Sequence, residues 1–238
     1  MKRFRDFIHH HFAQFGIAGS IVVALALYLP RIGFINREGQ PYSALNHFVS
    51  ELGWIGVSDK AILFNLGLIL GGLCYAVFML GLGRQFRGFW GCVVSILGAI
   101  AAVFASLVGI FPVVDHWPGL IAHLLMAGAL GVTAFWAACA TIFMVLFHRT
   151  KVVPKPFALL GGAILLSFAT GLSVNPAEHV TPFFDFETNQ IVNRSDHWRL
   201  PIVEWVIVWT VVGALTVVAL YFEIRRRVVK TRPDERNA

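Results

Sequence analysis

Long apolar runs separated by short polar stretches dominate this chain. Six of the runs are close to 20 residues or longer, the length that an α-helix needs to cross the hydrocarbon core of a bilayer. They lie near residues 12–29, 61–83, 88–113, 117–147, 157–174 and 201–224. A transmembrane barrel would show short segments of alternating hydrophobicity instead. The pattern predicts an all-α polytopic integral membrane bundle of six transmembrane helices, forming one domain over residues 1–238.

Charged residues are distributed unequally over the two ends of these helices. Fourteen of the nineteen Lys and Arg lie in the termini and in the second and fourth loops, whereas nine of the thirteen Asp and Glu lie in or beside the other three loops. Because basic loops resist translocation, both termini are predicted to be cytoplasmic, with residues 225–238 as a basic tail. The first run is expected to be a retained helix, and the expected location is the bacterial inner (plasma) membrane.

Composition narrows the class of protein further. The chain is 57% hydrophobic and 13% charged, with a mean hydropathy of +0.72, against about 25% charged residues in soluble domains. This excludes a soluble globular protein. The net charge of +6 falls on the cytoplasmic side, where anionic lipid head groups are a sufficient partner, so no nucleic-acid partner is predicted. The three cysteines lie in apolar runs without a CxxC motif, so no disulfide or thiolate metal site is predicted.

The first outer loop carries a segment with the pattern of a short amphipathic helix, over residues 42–54. On a helix, His47 lies four residues after Ser43, and Ser50 and Glu51 follow it by three and four residues, so the four side chains share a face. Imidazole, hydroxyl and carboxylate within one turn can bind a metal, relay a proton or activate a nucleophile. The alternative is an interfacial helix whose polar face contacts water.

Further ionisable residues are predicted to lie at the same depth. His123 follows His116 by seven residues in the fourth span, and Glu204 follows His197 by seven at the start of the sixth. Ionisable side chains inside a span are costly unless they are paired, hydrated or coordinated. We expect Glu204 to pair with His123 or with Arg199. The alternative for the two histidines of the fourth span is a hydrogen bond to a neighbouring helix.

Together these residues predict a site at the outer face. Three nitrogen ligands with one open position suit zinc, whose bound water has a pKa near 7. The predicted zinc ligands are His47, His123 and His197, and the predicted catalytic residues are Ser50, Glu51 and Glu204, with Glu51 or Glu204 as general base. The corresponding function is an intramembrane metal-dependent hydrolase or transferase that acts on a lipid-like substrate.

Three other classes of function remain open at this stage. The first is a non-enzymatic membrane protein that binds lipid or a protein partner. The second is a proton-coupled carrier, which is less well supported because the inner halves of the helices hold almost no polar groups. The third is a haem-binding cytochrome, for which paired histidines at both membrane faces are missing. The sequence does not determine the oligomeric state.

Several motifs resemble those of the domain-of-unknown-function family numbered 998, whose members cross the membrane six to seven times. The motifs are Asn46, Val49-Ser50-Glu51-Leu52-Gly53, Phe64-Asn65-Leu66-Gly67-Leu68-Ile69 and Gly109-Ile110-Phe111-Pro112, with a histidine downstream. The resemblance covers residues 15–225 and assigns characteristic positions to Ser50, Glu51, Asn65, Pro112 and His123. It implies a fold and a family rather than a reaction.

Two remoter resemblances bear on mechanism. Residues 49–53 are similar to the Ser-Asp element of the Frag1/DRAM/Sfk1 membrane proteins, some of which are tied to lipid remodelling. Ser43-x-x-x-His47, with later acidic residues and histidines, resembles the alkaline ceramidase and adiponectin receptor superfamily of intramembrane zinc hydrolases. The chain departs from that superfamily because its last helix offers His197 and Glu204 rather than His-x-x-x-His.

Overall fold

The computed structural model describes residues 2–86, 88–147, 153–175, 178, 184–185, 187 and 190–230. Its helices are α1 (Lys2–Tyr28), α2 (Ala61–Gln85), α3 (Phe89–Ile110), α4 (Trp117–Phe147), α5 (Ala158–Leu172) and α6 (Arg199–Lys230), with 3-10 helices at Leu29–Arg31, Val49–Gly53 and Lys155–Phe157. Two short strands, β1 (Phe184–Asp185) and β2 (Gln190–Ile191), pair antiparallel. Six helical segments in the described part of the chain are long and apolar enough to span a membrane. The predicted all-α, multi-pass membrane fold is confirmed.

The helices pack as neighbours in chain order, and α6 returns to pack against α1. Near the chain ends, the Arg226 guanidinium of α6 donates to the backbone carbonyl of His10 in α1, at 3.4 Å. The amino end of α1 and the carboxyl end of α6 therefore share one end of the bundle. We call the opposite end, which carries the loops from α1 to α2, α3 to α4 and α5 to α6, the distal end.

Helix α2 packs closely against both of its neighbours because small residues line the two contacts. A Cβ added at Gly67 would overlap Ala26 of α1, and one added at Gly72 would overlap the Ser106 hydroxyl of α3. That hydroxyl donates to the carbonyl of Ile69 at 3.0 Å, so the close approach also forms an interhelical hydrogen bond. Small residues that let backbones approach are typical of helix contacts within membranes.

Helix α5 presents a contrasting, open surface. Its leucines Leu159, Leu166 and Leu172 are 75%, 68% and 85% exposed. Apolar exposure of this extent along a helix of this hydropathy fits contact with lipid acyl chains rather than with water.

The first distal loop contains the predicted short helix, but in a shorter and more buried form. The chain turns at residues 44–46, and the regular part is the five-residue 3-10 helix Val49–Gly53. His47 and Glu51 are 0% and 2% exposed, so the alternative of a polar face in water does not hold for these two side chains. Their polar atoms bond to asparagines of the same loop and to Arg194 of the last distal loop, as described below. At the other end of the chain, α6 continues to Lys230, so the predicted tail begins as helix, and residues 231–238 lie outside the described part.

Candidate functional site

An ion pair between Glu51 and Arg194 lies at the centre of the distal end. The two terminal nitrogens of Arg194 donate to the two carboxylate oxygens of Glu51 at 3.0 and 2.8 Å, and both side chains are 3% exposed. Bidentate pairs of this kind are the stronger form of ionic hydrogen bond. Burial raises the pKa of Glu51, and the Arg194 guanidinium opposes that shift. The pair joins the first distal loop to the chain segment that precedes α6.

Both partners of this pair also bond to loop backbone. The backbone N–H of Phe48 donates to Glu51 Oε1 at 2.7 Å, which satisfies a donor at the start of the 3-10 helix. Arg194 Nη1 donates in addition to the carbonyl of Asn46 at 2.6 Å. By contrast, Arg194 Nε is buried without a hydrogen-bond partner among the described residues, and it lies 3.8 Å from Glu38 Oε2, beyond hydrogen-bond distance.

The second turn of α6 bonds to the same loop. The Glu204 carboxylate accepts a hydrogen bond from the backbone N–H of Val49 at 2.7 Å. The next residue, Trp205, donates from its indole N–H to the carbonyl of His47 at 3.2 Å and to the Tyr42 hydroxyl at 3.1 Å. The expected pairing of Glu204 with His123 or Arg199 is therefore corrected, because a backbone amide of the folded loop reaches the carboxylate.

His47 is enclosed by amide side chains. Its Nδ1 lies 2.7 Å from Asn46 Oδ1, and its Nε2 lies 3.2 Å from Asn36 Nδ2. An imidazole protonated at Nδ1 would donate to Asn46 and accept from Asn36, whereas one deprotonated at Nδ1 would accept from the Ser43 backbone N–H, 3.3 Å away. Burial, followed by the charge of Arg194, lowers the pKa of His47 to about 4. The imidazole is therefore neutral at pH 7, and both of its nitrogens are in use.

Asp115 connects the short loop between α3 and α4 to the first distal loop. One carboxylate oxygen of Asp115 pairs with Arg37, and the other accepts from the Trp54 indole N–H at 3.1 Å. The Arg37 guanidinium also lies 5.2 Å from the centre of the Trp54 ring, within cation–π distance. All three distal loops thus contribute to one connected polar cluster.

A cavity of about 370 Å³ opens beside this cluster. Its wall includes Glu51 and Arg194 together with Asn36, Arg37, Glu38 and Trp54. Glu38 also lines the cavity, whereas Arg194 Nε is buried and is not accessible from it. The cavity wall includes two guanidinium groups, two carboxylates, the amides of Asn36 and Asn193 and an aromatic ring, together with the apolar side chains of Val57, Ile191 and Val192.

The structure does not bring the residues predicted as zinc ligands together in one metal-binding group. His47 uses both ring nitrogens within its loop, His123 is buried with Nδ1 2.8 Å from the carbonyl of Phe111, and His197 is exposed. In the described part of the chain, no group of three or more His, Cys, Asp or Glu side chains is placed to hold a metal. These donors do not fit a resident zinc ion as they stand, and the zinc site stays a prediction. For His123, the bond to Phe111 matches the alternative of a contact with the neighbouring helix end.

The predicted catalytic residues are closer to one another. Ser50 and Glu51 lie in the 3-10 helix, and Glu204 bonds to the first residue of that helix. The structure also supports a local role for Asn65, whose side-chain amide donates to the carbonyl of Gly53 at 3.0 Å. The roles of Ser50, Glu51 and Glu204 in catalysis remain predictions.

Arg194 was not predicted as a site residue from the sequence, although it bonds to Glu51 and to Asn46 and lines the cavity. A signal was available, because a carboxylate inside a membrane bundle needs a cation, and only five Lys or Arg lie on this side of the chain. Asn36 was also missed, since an amide that bonds to a histidine eleven residues away leaves no pattern of spacing. Asn46 was singled out only as a motif position.

Fold and site together define a multi-pass membrane protein with a polar cavity at the end opposite its termini. Comparison of the chain with known protein families, with curated proteins and with solved structures found no match. The resemblance to family 998 accordingly stays an expectation.

Proposed function

We propose that this chain is a non-enzymatic, lipid-binding membrane protein that holds the polar head group of a lipid in the distal cavity. The observation that carries the proposal is the distal cavity itself, whose wall combines Arg37 and Glu38 with the buried Glu51–Arg194 pair. The Arg37 guanidinium is 37% exposed and can donate to a ligand as well as to Asp115. The cavity is therefore suited to a ligand that carries hydrogen-bond acceptors.

The size of the cavity agrees with a head group rather than a whole lipid. Small-molecule sites typically have volumes of about 300–1,000 Å³, and this cavity, at about 370 Å³, lies near the lower limit. The acyl chains of such a ligand would remain outside, along the helices.

Exposed apolar side chains in the first distal loop favour an amphipathic ligand. Ile35 directly precedes the cavity residue Asn36 in the sequence, and Ile55 directly follows the cavity residue Trp54. These two isoleucines are 54% and 50% exposed. Large apolar side chains exposed in a loop of a membrane protein suit contact with a membrane surface or an acyl chain.

Binding is favoured over catalysis because the predicted catalytic groups already bond to the loop. Glu51 accepts from Arg194 and from the Phe48 backbone, and Glu204 accepts from the Val49 backbone. An activated serine needs a base within hydrogen-bond reach, yet no hydrogen bond from the Ser50 hydroxyl to a carboxylate or imidazole is formed among the residues that the structure describes. The hydrolase or transferase hypothesis stays a prediction.

The proposal can be tested by native mass spectrometry of the detergent-purified chain titrated with a phospholipid mixture. We expect one retained lipid per chain, and about ten-fold weaker binding in Arg37→Gln, because a charged hydrogen-bond donor leaves the cavity wall. Arg199→Gln is the matched control. Its guanidinium lies at the same end of the bundle but bonds to the Ser173 hydroxyl, at 3.1 Å.

Arg37 also pairs with Asp115, so loss of binding has to be separated from loss of structure. Arg37→Lys keeps the positive charge beside Asp115 and should bind lipid better than Arg37→Gln at the same melting temperature. Equal lipid retention in the parent chain and in all three variants would overturn the proposal.

A further inference from the structure

We propose a second lipid site, on the outside of the bundle beside α1 and α6, where Arg31 holds the phosphate group of a glycerophospholipid. Arg31 is not part of the wall of the distal cavity, so this site does not rest on the proposed function. The proposal is drawn from the unused hydrogen-bond donors of Arg31, from the rings that hold its guanidinium group, and from the exposed side chains of the two helices.

The Arg31 guanidinium is held by aromatic rings rather than by a carboxylate. Its central carbon lies 5.3 Å from the centre of the Trp205 ring and 5.5 Å from that of Tyr42, within cation–π distance of both. The two rings are fixed relative to each other, because the Trp205 indole N–H donates to the Tyr42 hydroxyl at 3.1 Å. The cation is therefore positioned before a ligand binds, which lowers the cost of ordering it on binding.

The hydrogen-bond donors of Arg31 are unused and accessible. Arg31 forms no hydrogen bond or ion pair with any residue that the structure describes, and none of its unpartnered nitrogens is buried. Glu204, the residue before Trp205, accepts from the Val49 backbone and does not pair with Arg31. The guanidinium donors are thus available to a ligand, and their planar fork matches the oxygens of a phosphate group.

Arg31 lies where the boundary between hydrocarbon and head groups is expected. The first candidate membrane span, His10–Arg31, ends at this residue. Trp and Tyr side chains are enriched at that boundary. Tyr28 precedes the 3-10 helix that ends at Arg31 and shares its face, and Trp209 stacks on Trp205 with ring centres 6.2 Å apart. An arginine at this depth can reach a lipid phosphate without placing its charge in hydrocarbon.

Exposed apolar side chains continue from Arg31 along both helices. On α1, Ile21, Leu25 and Tyr28 are exposed and follow one another at spacings of four and three residues, so they form one row. On α6, Trp209 is exposed, and nothing lies within 4 Å of a Cβ built at Gly213, one turn further on. Helices α1 and α6 pack against each other. An acyl chain of a lipid whose phosphate is bound at Arg31 can therefore lie along these rows.

A glycerophospholipid matches both parts of this surface. A soluble phosphate ester would bond to Arg31 but would leave the exposed rows without a partner. A diacylglycerol would contact the rows but has no phosphate for the guanidinium. Because the site is open on the side of the bilayer, we expect it to fill at higher lipid concentration than the enclosed cavity.

The test is native mass spectrometry of the full chain in detergent, titrated beyond the first bound lipid with phosphatidylglycerol or with diacylglycerol of identical acyl chains. We expect a second phosphatidylglycerol to bind, and diacylglycerol to bind about ten-fold more weakly. Arg31→Gln should weaken the second phosphatidylglycerol by a similar factor. Arg31→Lys keeps a cation beside the rings and should retain most of the binding. Arg199→Gln is the matched control, because its guanidinium already bonds to the Ser173 hydroxyl.

The two lipid sites can be told apart by their variants. Arg37→Gln should weaken the first lipid and leave the second, whereas Arg31→Gln should do the reverse. If only the lipid that depends on Arg31 binds, the proposed function fails and this site stands. A second phosphatidylglycerol that binds equally to Arg31→Gln and Arg199→Gln, or a diacylglycerol that binds as tightly, would overturn the site. Soluble glycerol phosphate that competes as well as the lipid would overturn the membrane source.

Discussion

Glu51 and Arg194 are 143 positions apart in the sequence, yet their side chains form a bidentate ion pair that joins the first distal loop to the segment before α6. Both side chains are almost completely excluded from solvent. Taking two charges out of water is costly, and the pair recovers that cost only while both partners are present. The stability of each loop therefore depends on the presence of the other partner of the pair.

Removal of one partner should destabilise the protein more than removal of both. We expect Glu51→Gln or Arg194→Met to lower the free energy of unfolding by about 3 kcal/mol, because each leaves a buried polar or charged group uncompensated. The double variant should lose less than the sum of the two single variants. Thermal unfolding in detergent measures this coupling, with Arg199→Met as a control at the same end. Additive losses would contradict a direct pairing.

Gly53 is required where the 3-10 helix meets α2. A Cβ at this position would overlap the side-chain oxygen of Asn65 and the ring of Phe64. We expect Gly53→Ala to cost about 1–3 kcal/mol, the range for overpacking of a close contact. Gly128→Ala is the matched control, because nothing lies within 4 Å of a Cβ there. A Gly53→Ala protein as stable as the control would show that the contact can relax.

The fold could be predicted from the sequence because spanning a bilayer imposes a length and a composition on each helix. The six apolar runs and the observed spans agree to within a few residues at most ends, as in Ala61–Gln85 and Trp117–Phe147. The first distal loop was predicted less well. The pattern at residues 42–54 predicts one helix. Contacts with Arg194, Trp205 and Asn36 stabilise a turn and a 3-10 helix instead.

The site was predicted by location but not by its contacts. Glu51, His47 and Glu204 do lie in one cluster at the distal end, as the concentration of polar residues indicated. Their partners are backbone amides and side chains from distant loops, and the spacing of residues along one chain segment contains no information about such contacts. The same limitation applies to the predicted zinc ligands, which form no metal-binding group among the described residues: helical periodicity gives depth in the bundle but not the direction in which an imidazole points.

Acid should destabilise the protein through His47. Its pKa is lowered from 6.5 to about 4 in the folded protein, so the unfolded chain binds the proton more readily. The stability that the neutral imidazole contributes is present above pH 6.5 and is lost as the pH falls towards 4, at up to about 1.4 kcal/mol per pH unit. We expect His47→Asn to flatten this part of the pH profile of unfolding. Parallel profiles would contradict a buried neutral His47.

Metal analysis separates the binding proposal from the zinc hypothesis. Because no group of three or more His, Cys, Asp or Glu side chains in the described part of the chain is placed to hold a metal, we expect His123→Ala to leave the zinc content of tag-free protein unchanged, as measured by inductively coupled plasma mass spectrometry. The His9-His10-His11 run is common to both proteins, so metal bound there cancels in the comparison. About one zinc ion per chain that disappears in His123→Ala would instead support the metal-dependent hydrolase.

The leaflet from which the cavity would take a lipid depends on the orientation of the bundle. The concentration of Lys and Arg at the end opposite the cavity predicts that the distal end faces outward. In a chain without its three native cysteines, Asp59→Cys should react with a membrane-impermeant maleimide on intact cells, because Asp59 is an exposed residue of the first distal loop. Arg225→Cys, at the other end, should react only after permeabilisation. The reverse pattern of labelling would place the cavity in the cytoplasm, and the lipid would then have to come from the inner leaflet.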